Sequence, residues 1–175
     1  IKFELTLIFK ILNMKNFKNL IYLFLLTFFV TSCSTTYTDI QKLDREDGKF
    51  TLNGELFNGV ALSMTRKNRV RERATFTDGK VIEMFEHSVD EGQFEEVELS
   101  DGLTTLMSDM IVYERTLKKE TQYYADGSIS KSAELSCEDG TLMSCVKNGK
   151  LIEYDEKGNV EKTSIYENGD LKKED

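Results

Sequence analysis

Val146-Lys-Asn-Gly-Lys-Leu151 and Tyr166-Glu-Asn-Gly-Asp-Leu171 share one pattern: an apolar residue two places before an Asx-Gly pair, and another two places after it. Tyr124-Ala-Asp-Gly-Ser-Ile129 repeats it. Asp-Gly and Asn-Gly accommodate the positive φ angles of a two-residue type I′ turn. Each hexapeptide therefore reads as a β-hairpin tip whose apolar residues face each other across the strands.

The pattern extends outward along the chain. All 11 glycines of the 175 residues lie beyond position 47, and nine directly follow Asp or Asn. One set, Gly59, Gly79, Gly102, Gly127, Gly149 and Gly169, recurs at spacings of 20, 23, 25, 22 and 20. Gly92, Gly140 and Gly158 fall between its members. The repeating unit is a strand, a turn and a return strand of about 22 residues. In a two-residue loop, the residue three before the glycine faces the residue two after it. The expected apolar pairs are Leu56 with Ala61, Phe76 with Val81, Val89 with Phe94, and Tyr124 with Ile129. Cys137 with Leu142, Val146 with Leu151, and Tyr166 with Leu171 complete the series. Leu99 would face Thr104, and a three-residue loop at Glu156-Lys157-Gly158 would pair Tyr154 with Val160. The spacing drifts between Gly92 and Thr121, which reads as an insertion or a helix-containing interruption.

These signals predict an all-β domain over residues 48–175, an elongated antiparallel β-meander of repeated hairpins preceded by an N-terminal signal or anchor helix. With so few apolar residues the sheet should be thin, one layer apolar on part of each face. Neighbouring hairpins must then support one another, because an isolated hairpin is marginal in water.

The hexapeptides resemble the MORN-type repeat, particularly its divergent form in YwqK-family antitoxin-like proteins. The resemblance covers roughly residues 48–175 and is clearest in the last 55. Tryptophan and the Gly-x-Gly of the standard MORN repeat are absent. The resemblance implies an elongated β-meander and, as one functional option, an antitoxin or immunity protein that neutralises a toxin by binding it.

The N-terminal third carries different information. Met14, Lys15 and Lys18 precede the apolar run 19–30, and Thr31, Ser32 and Cys33 follow it. A basic start, an apolar stretch of about a dozen residues and a small-residue exit make a secretory signal peptide over 14–32. Val30-Thr31-Ser32-Cys33 resembles the lipobox of bacterial lipoproteins. That resemblance implies cleavage between Ser32 and Cys33, fatty-acylation of Cys33 and membrane attachment through several acyl chains. Ser34, where an aspartate would signal retention, points to the outer membrane of a bacterial envelope. The alternative is an uncleaved anchor helix or a buried helix. Residues 1–13 read as an over-extended start, and 33–47 as a lipidated, flexible tether. Four lysines and one glutamate leave with residues 1–32, so the mature chain holds 19 basic and 30 acidic residues, net -11.

Several function classes lack their signatures. A net charge of -8 argues against a general nucleic-acid binder. One histidine and three cysteines leave too few ligands for a zinc site, and no metal or cofactor is expected. No dinucleotide or P-loop glycine motif occurs. Ser63, Ser100 and Ser136 lack a nucleophile-elbow setting, so no catalytic residues are assigned.

Arg69, Arg71 and Arg73 alternate on one strand and could form a cationic stripe that binds a partner, either a phosphate-bearing lipid or an acidic protein. The competing reading, favoured on register, pairs Arg71 with Glu86 across the Asp78-Gly79 hairpin. Glu95, Glu96 and Glu98 form an acidic run that could attract a basic partner or Ca²⁺, though no EF-hand spacing occurs, and the favoured reading is a solvated edge that resists aggregation. His87 would oppose Glu96 as a surface ion pair. Cys137 and Cys145 are expected as small buried thiols. With a tight Asp139-Gly140 turn Cys145 would face Glu134, and a disulfide would require a loop centred on Thr141. The favoured function is a non-catalytic envelope lipoprotein whose repeat sheet binds a protein or surface component.

Overall fold

A computed structural model describes residues 36–175 of the chain. The segments assigned to the over-extended start, the signal or anchor helix and the lipidated Cys33 lie outside these residues. Fifteen strands alternate with tight turns, and no α-helix occurs among the described residues.

Three short strands open the described chain: β1 (Tyr37–Asp39), β2 (Asp44–Glu46) and β3 (Lys49–Leu52). They are followed by β4 (Glu55–Leu56), β5 (Gly59–Met64), β6 (Val70–Thr77) and β7 (Lys80–His87). A hairpin of β8 (Phe94–Glu98) and β9 (Thr104–Ser108) precedes β10 (Ile111–Thr116) and β11 (Lys119–Tyr123). The chain ends in β12 (Ile129–Cys137), β13 (Cys145–Tyr154), β14 (Val160–Glu167) and β15 (Asp170–Glu174). Ten strands form one sheet in the order β1-β5-β6-β7-β10-β11-β12-β13-β14-β15. All its pairings are antiparallel except β1 with β5. β2-β3-β4 and β8-β9 are separate small sheets. The expected tether does not extend through 37–46, because β1 and β2 are hydrogen-bonded strands.

The small sheets cover opposite faces of the large one. Ala61 opposes Ala74 across β5 and β6, and both are buried with Phe57, Phe76 and Val81. The methyl-sized pair leaves room for Phe50, whose ring meets Phe76 edge-on at 5.1 Å while Phe57 meets it at 5.3 Å. Leu62, next to Ala61 in the strand, points the other way. It packs with Val70 under Val97, Leu99 and Met107 of the β8-β9 hairpin. Burying side chains of this size contributes roughly 1.5–3 kcal/mol each. The thin sheet with apolar patches on both faces is as the composition requires.

Farther along, the β10-β15 run rests on cross-strand rungs. Ala133 opposes Leu151 and Leu151 opposes Ser164, all buried. On the flanking rung Lys131, Glu153 and Lys162 oppose one another, with Lys131 2.6 Å from Glu153 and Lys162 2.8 Å from Glu174. The Lys131 ammonium holds the Glu153 carboxyl below its ordinary range. Such pairs add only ~0–1 kcal/mol each, but they keep a two-sided polar sheet in register.

Apart from Asp139-Gly140, the Asx-Gly pairs do three different jobs. Asp47-Gly48, Asn53-Gly54, Asp78-Gly79 and Asn168-Gly169 have both φ angles positive and form the expected two-residue turns. Phe76 with Val81 and Tyr166 with Leu171 pair as expected, and so do Tyr154 and Val160. Asp101-Gly102 and Asp126-Gly127 instead close three-residue loops in which the glycine alone has positive φ. The extra residue shifts the registers, giving Glu98 with Thr104 and Tyr123 with Ile129 in place of Leu99 with Thr104 and Tyr124 with Ile129.

The third job is docking, and it corrects the remaining pairs. Asn148-Gly149 is no turn; it forms a bulge inside the continuous strand β13, so Val146 faces Ser136 and Leu151 faces Ala133. The backbone N–H groups of Asn168 and Gly169 donate to Asn148 Oδ1 at 3.3 Å and Lys147 O at 2.8 Å. Twenty residues apart in the same way, Asp78 and Gly79 donate to Asn58 Oδ1 at 2.8 Å and Phe57 O at 3.0 Å. Asn58-Gly59 is likewise a docking point, and Leu56 pairs with Thr51, not Ala61. Val89 and Phe94 do not pair, because 88–93 is an open connection and Phe94 faces Ser108. Between Gly92 and Thr121 there is no helix: the β8-β9 hairpin is inserted between β7 and β10, and β10 and β11 belong to the large sheet.

Candidate interaction surface

The β8-β9 hairpin is one of the two small sheets that lie outside the main sheet. Val97, Leu99, Thr105 and Met107 turn inward and are buried. The hairpin is clamped around its turn. Ser100 N donates to Tyr37 O at 2.7 Å, Asn68 Nδ2 donates to Thr104 O at 2.9 Å, and Lys42 pairs with Asp101. Alternation then places Glu96, Glu98 and Leu106 on the outer face. Glu96 directly opposes Leu106, and Leu103 at the tip is 63% exposed. Two carboxylates beside two exposed leucines suit a basic partner with an apolar anchor. Glu95 lies on the other side of β8, so the acidic run does not form one face.

The three arginines do not form one cationic stripe. Opposite Ser63 and Met64 the ladder is irregular, with Ser63 facing Glu72 and Met64 facing Val70, and Arg71 falls in the bulge between them. Arg69 lies over the Phe94 ring at 4.6 Å and is 3.7 Å from Asp90. Arg73 lies over the Phe85 ring at 4.4 Å. Arg71 is 3.5 Å from Glu72 and 3.6 Å from Glu86, so the expected ion pair forms although Glu72, not Arg71, directly faces Glu86.

His87 is not a surface partner of Glu96. It opposes Ile111, is buried, and its Nδ1–H donates to Ser108 O at 2.8 Å. Its Nε2 has no hydrogen-bond partner among the described residues. Desolvation pushes the imidazole below its ordinary range; Arg73 adds to this, while the Ser108 bond and Glu95 oppose it. The folded state thus favours neutral His87, and the unfolded chain takes up its proton first as pH falls. Stability from this residue is full above about pH 6.5 and is lost as pH drops through the lowered folded value. Thermal melts from pH 7.5 to 5 should show this loss, and His87→Phe should flatten it. An unchanged profile in the variant would place the titration elsewhere. The depressed carboxylates Asp101, Asp126, Asp139 and Asp155 act at lower pH.

Cys137 and Cys145 form a disulfide between directly opposed positions of β12 and β13. This overturns the expectation of buried thiols. The Asp139-Gly140 pair does not make a tight hairpin; residues 138–144 form a wider loop with a 3₁₀ turn at Leu142–Ser144. Leu142 leaves Cys137 and enters the core beside Phe76 and Val81. Asp139 fastens the loop, accepting from Thr141 N at 3.1 Å and from the Ser144 hydroxyl. Among the described residues no group of three or more His, Cys, Asp or Glu is placed to hold a metal ion. No helix among them is long and apolar enough to cross a membrane. Comparisons with protein-family models, curated proteins and solved structures found no match.

Proposed function

We propose that this protein is a non-catalytic bacterial envelope lipoprotein, anchored through acylated Cys33, whose MORN-like sheet serves as a protein-binding module. The observation that carries the binding role is the outer face of the β8-β9 hairpin, where Leu103 and Leu106 stand exposed beside Glu96 and Glu98. The apolar residues supply an anchor, and the carboxylates steer a basic partner toward it. Two turns, each docked on an Asn-Gly pair 20 residues before it, support the repeat reading. Arg71, the most exposed of the three arginines in its side chain, offers a second contact for an acidic group. Nucleic acid is a poor candidate partner for a mature chain of net charge -11.

The second reading is an antitoxin or immunity protein of the YwqK type. The acidic hairpin face favours it, since it suits a basic toxin as well as any other basic partner.

A photoreactive side chain at Leu103 or Leu106 should cross-link a discrete basic protein in cells, whereas one at Lys173 on the opposite end of the strand order should not. Charge reversal at Glu96 and Glu98 should abolish the adduct. An adduct insensitive to charge reversal rejects the hairpin as the binding face. If the captured protein is toxic when expressed alone and harmless with this chain, the antitoxin reading holds. Cys33→Ala should move the protein from the membrane fraction to the soluble one, and full retention would rule out the lipid anchor.

A further inference from the structure

His87 is the single histidine of the 175 residues, and it ends β7 at the root of the β8-β9 hairpin. Leu62 opposes Arg73 and Arg73 opposes Phe85, and His87 follows Phe85 by two residues. Its ring therefore lies on the sheet face that the hairpin covers. The root consists of the connections on either side of the hairpin, and they are laced to each other. Ser108 Oγ donates to Glu91 O at 2.6 Å, Gln93 N to Asp109 Oδ1 at 2.8 Å, and Asp109 N to Gln93 O at 2.9 Å. Two bonds tie this root to the end of β7: His87 Nδ1–H donates to Ser108 O at 2.8 Å, and Ser88 N to Met110 O at 2.9 Å.

The carbonyl acceptor fixes the tautomer. A carbonyl oxygen cannot donate, so Nδ1 carries the hydrogen and Nε2 the lone pair. Nε2 is buried, with no hydrogen-bond partner among the described residues. A proton added there creates a charged N–H that has neither water nor an acceptor, which costs far more than a bare lone pair. The charged groups that act on the ring come from two neighbouring strands. Arg73 of β6 opposes a second positive charge, and Glu95 of β8 favours it. β10 places Ile111 opposite His87, and β9 contributes the Ser108 carbonyl. The Nδ1–H bond survives protonation, so what has to change is the cover over Nε2.

We infer that His87 is a proton-operated latch: uptake of a proton at Nε2 lifts the root of the β8-β9 hairpin off the large sheet while that sheet stays paired. Two features localise the opening. The hairpin and its root cover this face, so water reaches Nε2 when they lift. β8 and β9 also form a sheet of their own, so lifting the root breaks few main-chain bonds to the large sheet. Around its turn the hairpin keeps the bonds from Ser100 N to Tyr37 O and from Asn68 Nδ2 to Thr104 O, and it pivots there. The sign in pH follows from the two states. In the open root the imidazole takes its proton near its ordinary value, about 6.5, and in the closed root only at lower pH. Between those limits the open population grows as pH falls, by up to about tenfold per unit, and above them the root is closed. This inference concerns the attachment of the hairpin and does not depend on what the hairpin binds.

The test is hydrogen exchange of the full chain in detergent at pH 7.5 and pH 5, corrected for the intrinsic pH dependence of exchange. Peptides covering 88–93 and 108–111 should lose protection at least fivefold at pH 5, and peptides covering 129–137 less than twofold. Because the chain has one histidine, a magnetic-resonance titration follows this ring alone. It should show the Nδ1–H tautomer at pH 7.5 and the second proton arriving as the root loses protection. His87→Asn keeps a donor near the Nδ1 position and has nothing to titrate, so its root should exchange equally at both pH values. Root protection that is unchanged at pH 5, or a ring that gains its proton while the root stays closed, overturns the proposal without reference to any variant. Equal loss of protection in 129–137 also overturns it, since the whole domain would then be opening.

Discussion

Serine at both Cys137 and Cys145 is expected to lower the thermal midpoint by roughly 8 °C, equivalent to about 2–3 kcal/mol for a loop of this size in a domain of this length. The disulfide closes residues 138–144, and that loop places Leu142 among Phe76, Val81 and Phe57. Without the covalent tie the unfolded chain gains freedom, and the loop can also lift Leu142 out of the core. Both effects act in the same direction. Reducing agent should bring the native protein down to the midpoint of the double variant and leave that variant unchanged. A midpoint within a degree of the native one would show that the Leu142 packing and the Asp139 hydrogen bonds hold the loop unaided.

Gly79→Ala is expected to destabilise the domain by about 3 kcal/mol, whereas Gly48→Ala should cost only about 1 kcal/mol. Both glycines occupy Asp-Gly turns of the same type, with φ of +71° and +77°, so the left-handed strain is shared. They differ in their surroundings. A Cβ at Gly79 would sit 2.6 Å from the Phe50 carbonyl oxygen and 3.0 Å from Lys49 Cβ, whereas Gly48 has nothing within 4 Å. The collision is with backbone, which cannot swing aside, and it breaks the 2.7 Å bond from Phe50 N to Gly79 O that seats the β2-β3-β4 sheet. Chemical denaturation of the two variants reads the difference directly. Equal losses would mean that the small sheet does not rely on this turn.

The same two glycines show what the sequence discloses and what it conceals. Asp-Gly reliably marks a reversal or an irregularity, because few other dipeptides accept positive φ at no cost. It does not say which. Asp78-Gly79 makes a two-residue turn and Asp126-Gly127 a three-residue loop, yet the flanking pattern is alike: Phe76 and Val81 pair directly, while Ile129 slips to Tyr123. That choice is made by strand partners far away. Asn148-Gly149 was hidden more deeply, since its role depends on a turn 20 residues later that supplies the donors. The β10-β11 reversal at Leu117 and Lys118 carries no glycine at all, and so no dipeptide announced it.

Site residues divide along similar lines. The acidic character of β8 was legible, but not the alternation that sends Glu96 and Glu98 outward while Glu95 faces away. His87 is buried against a segment distant in sequence, where the Ser108 carbonyl accepts its Nδ1–H. The disulfide was concealed for a simple physical reason. Pairing Cys137 with Leu142 satisfies a local apolar match, whereas the folded chain gives Leu142 a larger apolar neighbourhood under Phe76 and closes the cysteines in its place.

The turn docked on a bulge has a bearing on how such a sheet can change length. Residues 58–78 and 148–168 each begin on an asparagine that offers its side-chain oxygen and end on an Asx that fills the preceding one. The two ends of each segment are not equivalent: the asparagine at its start receives a turn, and the Asx-Gly at its end forms one. The length between them is therefore fixed from both sides. A one-residue insertion within the segment would point every following side chain to the wrong face and carry the turn past its acceptor.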